Sequence, residues 1–263
     1  MDNICYMCGR VATTREHVPP ICLFPEMKDT NGIDYRKNLI TVPSCIEHNS
    51  KKSNDDEFLM TALSGIVGNN YAGFKHLHNK VYRSLIRRDY DYMSECVIKN
   101  PIEFTLEPKQ GVNFPVLLGN ADYHRLEKCF THIAYGLYFY EFHEVFKGNC
   151  AMLFGFIKYP EENKNNLIKL VRELSLKETK DYHRKGNNPE IFNYVFGPPD
   201  KFGIIPLVMT FYGGTEVFIS LQKKGLPEPW DFGMMLINGG IETTINVGDK
   251  KFTFNKKDKN NLD

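Results

Sequence analysis

Cys5-Tyr-Met-Cys8 and Cys45-Ile-Glu-His48 each set two metal-binding side chains three positions apart. A turn of chain brings side chains at that spacing to one side, so each pair can bite one ion. Two such pairs complete a tetrahedron of sulfur and imidazole nitrogen, the donor set and geometry that zinc prefers. The stretch between the pairs, residues 9 to 44, is long enough to hold a hairpin. Cys22 lies inside it without a partner at ligand spacing and reads as packing. The chain has seven cysteines. Met1-Asp2-Asn3-Ile4-Cys5 shows no basic stretch followed by an apolar one. An odd count without a secretory leader argues against a disulfide framework and leads us to expect a cytoplasmic protein. Cys96, Cys129 and Cys150 stand singly among apolar residues and read as small core side chains.

Further residues of chemical interest lie beside and between the pairs: Glu16-His17-Val18-Pro19-Pro20, then Asn38-Leu39-Ile40, then Asn49 directly after His48. Taken in order, CYMCG, EHVPP, NLITVPSC and CIEHNSKKS resemble the HNH, or His-Me finger, endonucleases over residues 4 to about 57. The resemblance implies a ββα-metal module, with a hairpin and a helix around one catalytic divalent ion. It implies that His17 is the general base, taking a proton from the attacking water as a neutral imidazole. It implies Glu16 and Asn49 as oxygen ligands of Mg2+ or Mn2+, hard ions that favour oxygen, and Asn38 as the brace of the hairpin. Cys5, Cys8, Cys45 and His48 would then hold a structural zinc, although His48 also suits the catalytic ion. The implied reaction is hydrolysis of DNA phosphodiesters to 5′-phosphate and 3′-hydroxyl ends. The implied setting is phage defence, mobile elements or restriction. RNA cleavage, and a zinc-stabilised nucleic-acid or protein binding module without catalysis, are the alternatives.

Arg15, Arg36, Lys37, Lys51 and Lys52 surround these motifs and either contact DNA phosphates or form a solvated charged face. No bulk field supports them. The chain has 33 Lys+Arg against 32 Asp+Glu, a formal net charge of +1, so a nucleic-acid role must rest on a local site. Residues 71 to 88 offer a basic amphipathic helix that could lie along a nucleic-acid backbone.

The elements that must position these residues are expected in an α+β chain. With 263 residues, 42% hydrophobic and 25% charged, it is of ordinary globular composition. An HNH module over 1–57 is followed by a helical and irregular connector over 58–119. A larger α+β domain of unknown role then spans 120–254, and 255–263 form a frayed tail. Ser53-Asn54-Asp55-Asp56 starts a helix, and a long helix with a wide apolar face begins near 121. Apolar runs at 150–157, 204–211 and 215–221 read as strands, the last two joined by Gly213-Gly214, and a hairpin is expected around Gly248-Asp249. No apolar run is long enough to span a membrane. The C-terminal domain would take a DNA sequence, a partner protein or a small signal. One motif set cuts one strand at a time, so a double-strand break requires a homodimer or two nicks.

Overall fold

The structure is a computed structural model that describes residues 3–49, 52–87, 97–107, 111, 114–226 and 231–256. Lys51, Cys96 and the tail beyond 256 lie outside the described residues. The fold is α+β, as the pattern of runs and stripes indicates. None of the described helices is long and apolar enough to cross a membrane.

The chain divides into two compact units. The first comprises Met1–Phe146, Asn187–Phe192 and Phe211–Gly214; the second comprises Lys147–Gly186, Asn193–Thr210 and Thr215–Asp263. The division therefore falls at 146/147 rather than near 120, and the first unit recruits two later segments that no local pattern announces.

In the first unit, β1 (Thr14–His17) pairs antiparallel with β2 (Thr41–Ser44), in register Thr14 to Ser44 and His17 to Thr41. The short helix α1 (Ile46–Asn49) follows at once, then α2 (Ser53–Ser64). Asp55 and Asp56 sit in the first turn of α2, where the helix dipole favours acids. Phe58, Leu59 and Leu63 of α2 are buried, as are Leu126, Phe130 and Ile133 of the long helix α5 (Tyr123–Phe142), which packs on α2. Asp55 ties the two helices, accepting from Arg125 Nε at 3.0 Å and Lys128 Nζ at 2.8 Å. α5 also approaches the residue after His17 closely. A Cβ on Gly136 would stand 2.7 Å from Val18 Cγ2, so glycine is needed there.

Between α2 and α5 lies one helical run, α3 (Tyr71–His76), a π turn at Leu77–Val81 and α4 (Tyr82–Ile86). Asn70 caps its start, its Oδ1 accepting from Gly73 N–H at 3.0 Å. A two-stranded ladder, β3 (Ile98–Leu106) with β4 (Phe114–Ala121), completes the segment, so the connector expected as helical and irregular over 58–119 also carries strand.

The second unit is built on a five-stranded sheet in the order β5 (Gly148–Phe154), β9 (Thr215–Lys223), β8 (Ile204–Phe211), β7 (Phe192–Phe196), β6 (Lys185–Asn188). Helix α6 (Glu162–Glu178) covers it, with Val171 against Val195, Val208 and Phe218. Leu167 and Leu170 of α6 pack on Phe252 and Phe254 of the hairpin β10 (Thr243–Val247) and β11 (Lys250–Phe254). A short helix, α7 (Phe232–Asn238), precedes that hairpin.

Candidate metal centre

The four ligand side chains expected from spacing meet at one point. The Cys5, Cys8 and Cys45 sulfurs and a His48 ring nitrogen all lie within 4.8 Å of one another. His48 Nδ1 is 3.2 Å from Cys45 Sγ and 3.6 Å from Cys5 Sγ, and the Cys8 and Cys45 sulfurs are 4.0 Å apart. A tetrahedral zinc with bonds of about 2.3 Å needs sulfurs roughly 3.8 Å apart, so the donor set and its size both fit zinc. Nδ1 is the ring nitrogen that faces the sulfurs.

Local backbone chemistry assembles the cluster. Cys5 and Cys8 ride on a knuckle in which Gly9 N–H donates to Cys5 O at 2.8 Å and Cys5 N–H to Arg10 O at 2.7 Å. Gly9 has φ +73°, a left-handed conformation that suits glycine. Tyr6 N–H donates to Pro43 O and Thr13 N–H to Ser44 O, docking the knuckle against β2. On the other side, His48 N–H and Asn49 N–H both donate to Cys45 O, so α1 starts on the third ligand and presents the fourth. Arg10 Nε donates to Cys8 Sγ at 3.3 Å and its guanidinium pairs with Glu47. Burial raises the Cys8 thiol, but hydrogen bonds from Arg10 outweigh it and leave the thiol below its usual value, poised for the thiolate a metal requires.

Successive strand residues point to opposite faces, and this separates Glu16 from His17. Glu16 is buried. Its Oε1 takes the ammonium of buried Lys52, and its Oε2 accepts the Tyr6 hydroxyl at 3.1 Å. Tyr6 has one proton and gives it to Glu16, so its oxygen accepts from His132 Nδ1, 3.1 Å away on α5. Burial first, then the Lys52 charge, pushes His132 down to about 3, which keeps that ring neutral. His48 and His132 have ring centroids 6.1 Å apart, so this polar network borders the sulfur cluster.

Two expectations are corrected here. Lys52 is no surface phosphate contact: its ammonium lies inside the fold on Glu16. Glu16 does not present an open oxygen to a divalent ion. Both Glu16 oxygens are engaged, whereas Asn49 Nδ2 donates to Thr14 Oγ1 at 3.0 Å and Arg15 O at 3.2 Å, lashing α1 to β1 through its amide nitrogen rather than the Oδ1 a metal would use. The pair does not fit the catalytic ion in this arrangement.

His17 ends β1 on the opposite face. Its imidazole lies below the ordinary histidine value, through partial burial and then the positive charge of Arg36, with Glu16 opposing. It is therefore neutral at pH 7, with a lone pair to accept a proton. The hydrogen bond that continues the hairpin past it is Val18 N–H to Ile40 O, rather than one from the Asn38 side chain. Asn38 is exposed with φ +55°, and its carbonyl accepts from Asn187 Nδ2 at 2.5 Å, so its contribution is to the turn. Arg36 is half-buried, its Nε donating to Phe24 O at 3.1 Å. Arg15 braces Thr41 from the surface, and exposed Lys37 offers its carbonyl to Asn188.

Tyr6 and His132 were not singled out from sequence as site residues. A polar ring on the apolar stripe of Leu126, Cys129, Phe130 and Ile133 was the available signal, because a buried imidazole must find a partner. No protein-family model matches the chain, and comparisons with curated proteins and with solved structures likewise return no match.

Proposed function

We propose that the first unit is a ββα nuclease module that hydrolyses nucleic-acid phosphodiesters, DNA first, with His17 as general base. The observation that carries this reading is the juxtaposition of a three-cysteine, one-histidine cluster with a β1–β2 ladder that ends on a neutral imidazole beside an arginine. The metal cluster clamps the start of β1 and the end of β2, and the ladder delivers His17 to the far end. There the imidazole can accept a proton from water, while the Arg36 guanidinium supplies a charge to orient the phosphate. The zinc supplies structure and no reacting atom. No step is routed through a second ion, because both oxygens of the Glu16 carboxylate are otherwise engaged. The family expectations of 5′-phosphate products and a phage-defence setting rest on the resemblance alone.

A second reading has its own support. The Glu16–Lys52 pair fills the place where the HNH resemblance puts a metal-binding carboxylate, which favours a zinc-stabilised binding module without catalysis. Supercoiled plasmid, linear duplex, single strand and RNA, each incubated with Mg2+, Mn2+ or neither, separate the two. The nuclease reading expects nicked or linear DNA. It also expects His17→Ala to lower the rate by about 10²- to 10⁴-fold while zinc content and thermal unfolding stay native. Plasmid unchanged in every condition supports the binding module.

A further inference from the structure

Around Arg36, the cation whose charge depresses His17, four cations converge on one carboxylate. Glu26 Oε2 lies 2.7 Å from Lys28 Nζ and 3.6 Å from an Arg83 nitrogen; its Oε1 lies 3.5 Å from Arg36 and 3.8 Å from Lys80. Asp29 is the second acid of the group and is taken up by a two-pronged pair with Arg83 at 2.7 and 2.9 Å. Four cations against two carboxylates leave two positive charges in excess.

The donors divide unequally. Arg83 is committed to Asp29, and Lys28 is largely exposed. Arg36 and Lys80 are different. The Arg36 nitrogen nearest Glu26 has no hydrogen-bond partner among the described residues, although it is sealed from solvent. Among the described residues, Lys80 Nζ reaches only the Cys22 carbonyl, at 3.5 Å, besides Glu26. Two like charges are thus held side by side at a half-buried place, with hydrogen-bonding capacity that Glu26 leaves unused. Lys80 stands on the π turn Leu77–Val81, an irregularity often found at functional sites. The local field extends to both histidines nearby. Arg36 depresses His17, and burial followed by Lys80 and Arg36 pushes the buried His76 down to about 4.

We propose that Arg36 and Lys80 form the seat for a backbone phosphate of a DNA strand, that Glu26 holds this seat in the free protein, and that the phosphate displaces Glu26 on binding. A phosphodiester satisfies the requirement the geometry sets: an anion with acceptor oxygens for two adjacent cations. Arg36, one of the two cations of the seat, is also the charge that depresses the His17 imidazole, which links the seat to that histidine. The inference rests on the nucleic-acid reading of that histidine and adds Lys80 and Glu26, which the hairpin motif does not contain.

Binding of a fluorescein-labelled duplex of about 20 base pairs to the full chain, without added divalent ion, tests it by anisotropy over a salt series. Lys80→Met and Arg36→Met should each weaken binding about tenfold and lower the slope of log K against log salt by about 1, the signature of one lost phosphate contact. Glu26→Gln should tighten binding several-fold. That gain is the readout a purely structural role would not produce, because loss of a structural clamp weakens or leaves unchanged. The result that would overturn the proposal is Glu26→Gln binding no better than native, cation variants with native affinity and slope, or no duplex binding at all. The two readings fail separately. Seat variants that respond without any cleavage remove hydrolysis and keep the seat. Cleavage that needs His17, with seat variants binding like native, removes the seat alone.

Discussion

Cys8→Ser, or removal of the metal with a strong chelator, should unfold the N-terminal module rather than merely soften it. The hairpin that a metal held by this cluster would clamp is small: two strands of four residues each, a knuckle held by a few backbone hydrogen bonds, and a helix of four residues. Structural zinc sites of this type contribute on the order of 10 kcal/mol or more at neutral pH, because no preformed site exists in the unfolded chain. That exceeds what so small a core supplies by itself. The effect should spread. Tyr6 lies between the first two ligands, and its hydroxyl is the bond that joins Glu16 to His132 on α5. Far-UV circular dichroism and urea unfolding of the zinc-loaded, stripped and reloaded protein check this. The expected outcome is loss of the cooperative transition on stripping and its return with zinc. Cys22→Ser should behave nearly as native, because Cys22 donates only to the Asp56 carbonyl and lies outside the cluster.

The second large effect is expected at Lys52. Its ammonium and the Glu16 carboxylate form a pair with both side chains 8% exposed. Such a pair is weak evidence for net stability, but breaking it leaves an unpaired charge inside the fold, at a typical cost of about 3 to 5 kcal/mol. Lys52→Ala should therefore lose that much in urea unfolding, while Glu16→Gln with Lys52→Met should recover most of it. A loss below about 1 kcal/mol would mean that the pair is solvated rather than internal. The pH dependence has a definite sign. Asp56 is raised to about 6, first by burial and further by Glu16 and Asp55, with Lys52 opposing. A carboxyl raised above its unfolded value of roughly 4 favours the fold when protonated, so its contribution falls as pH rises from about 4 to 6. Without Lys52 the opposing charge is gone and the upper end of that window moves higher. The Lys52→Ala deficit should therefore be larger at pH 8 than at pH 5.

What was legible in the sequence was what local chemistry determines. Cys5, Cys8, Cys45 and His48 could be read because a metal requires short spacing within each pair. The start of α2, the wide stripe of α5, the strands β8 and β9 around Gly213-Gly214 and the final hairpin could be read from periodicity and turn residues. Interactions set at long range could not. Glu16 finds Lys52 across 36 positions and Tyr6 finds His132 across 126. Glu16 looked like a surface ligand and Lys52 like a phosphate contact because each is charged; their burial exists only because they meet. Lys185–Asn188 has a composition poor in strand-forming residues and is held as β6 by its place in the sheet. The basic helix expected over 71–88 is interrupted by a π turn that no stripe signals, and that turn carries Lys80.

The whole account stands on three sulfurs and one imidazole sharing an ion, since such an ion would hold the ladder on which His17 ends. X-ray absorption at the zinc edge, with metal analysis of the same sample, tests it most directly. The account predicts one zinc per chain, with three sulfurs at about 2.3 Å and one nitrogen at about 2.0 Å, falling to two sulfurs in Cys8→Ser wherever metal is retained. Protein that folds fully with no metal, or a metal ringed only by oxygen and nitrogen, would contradict it.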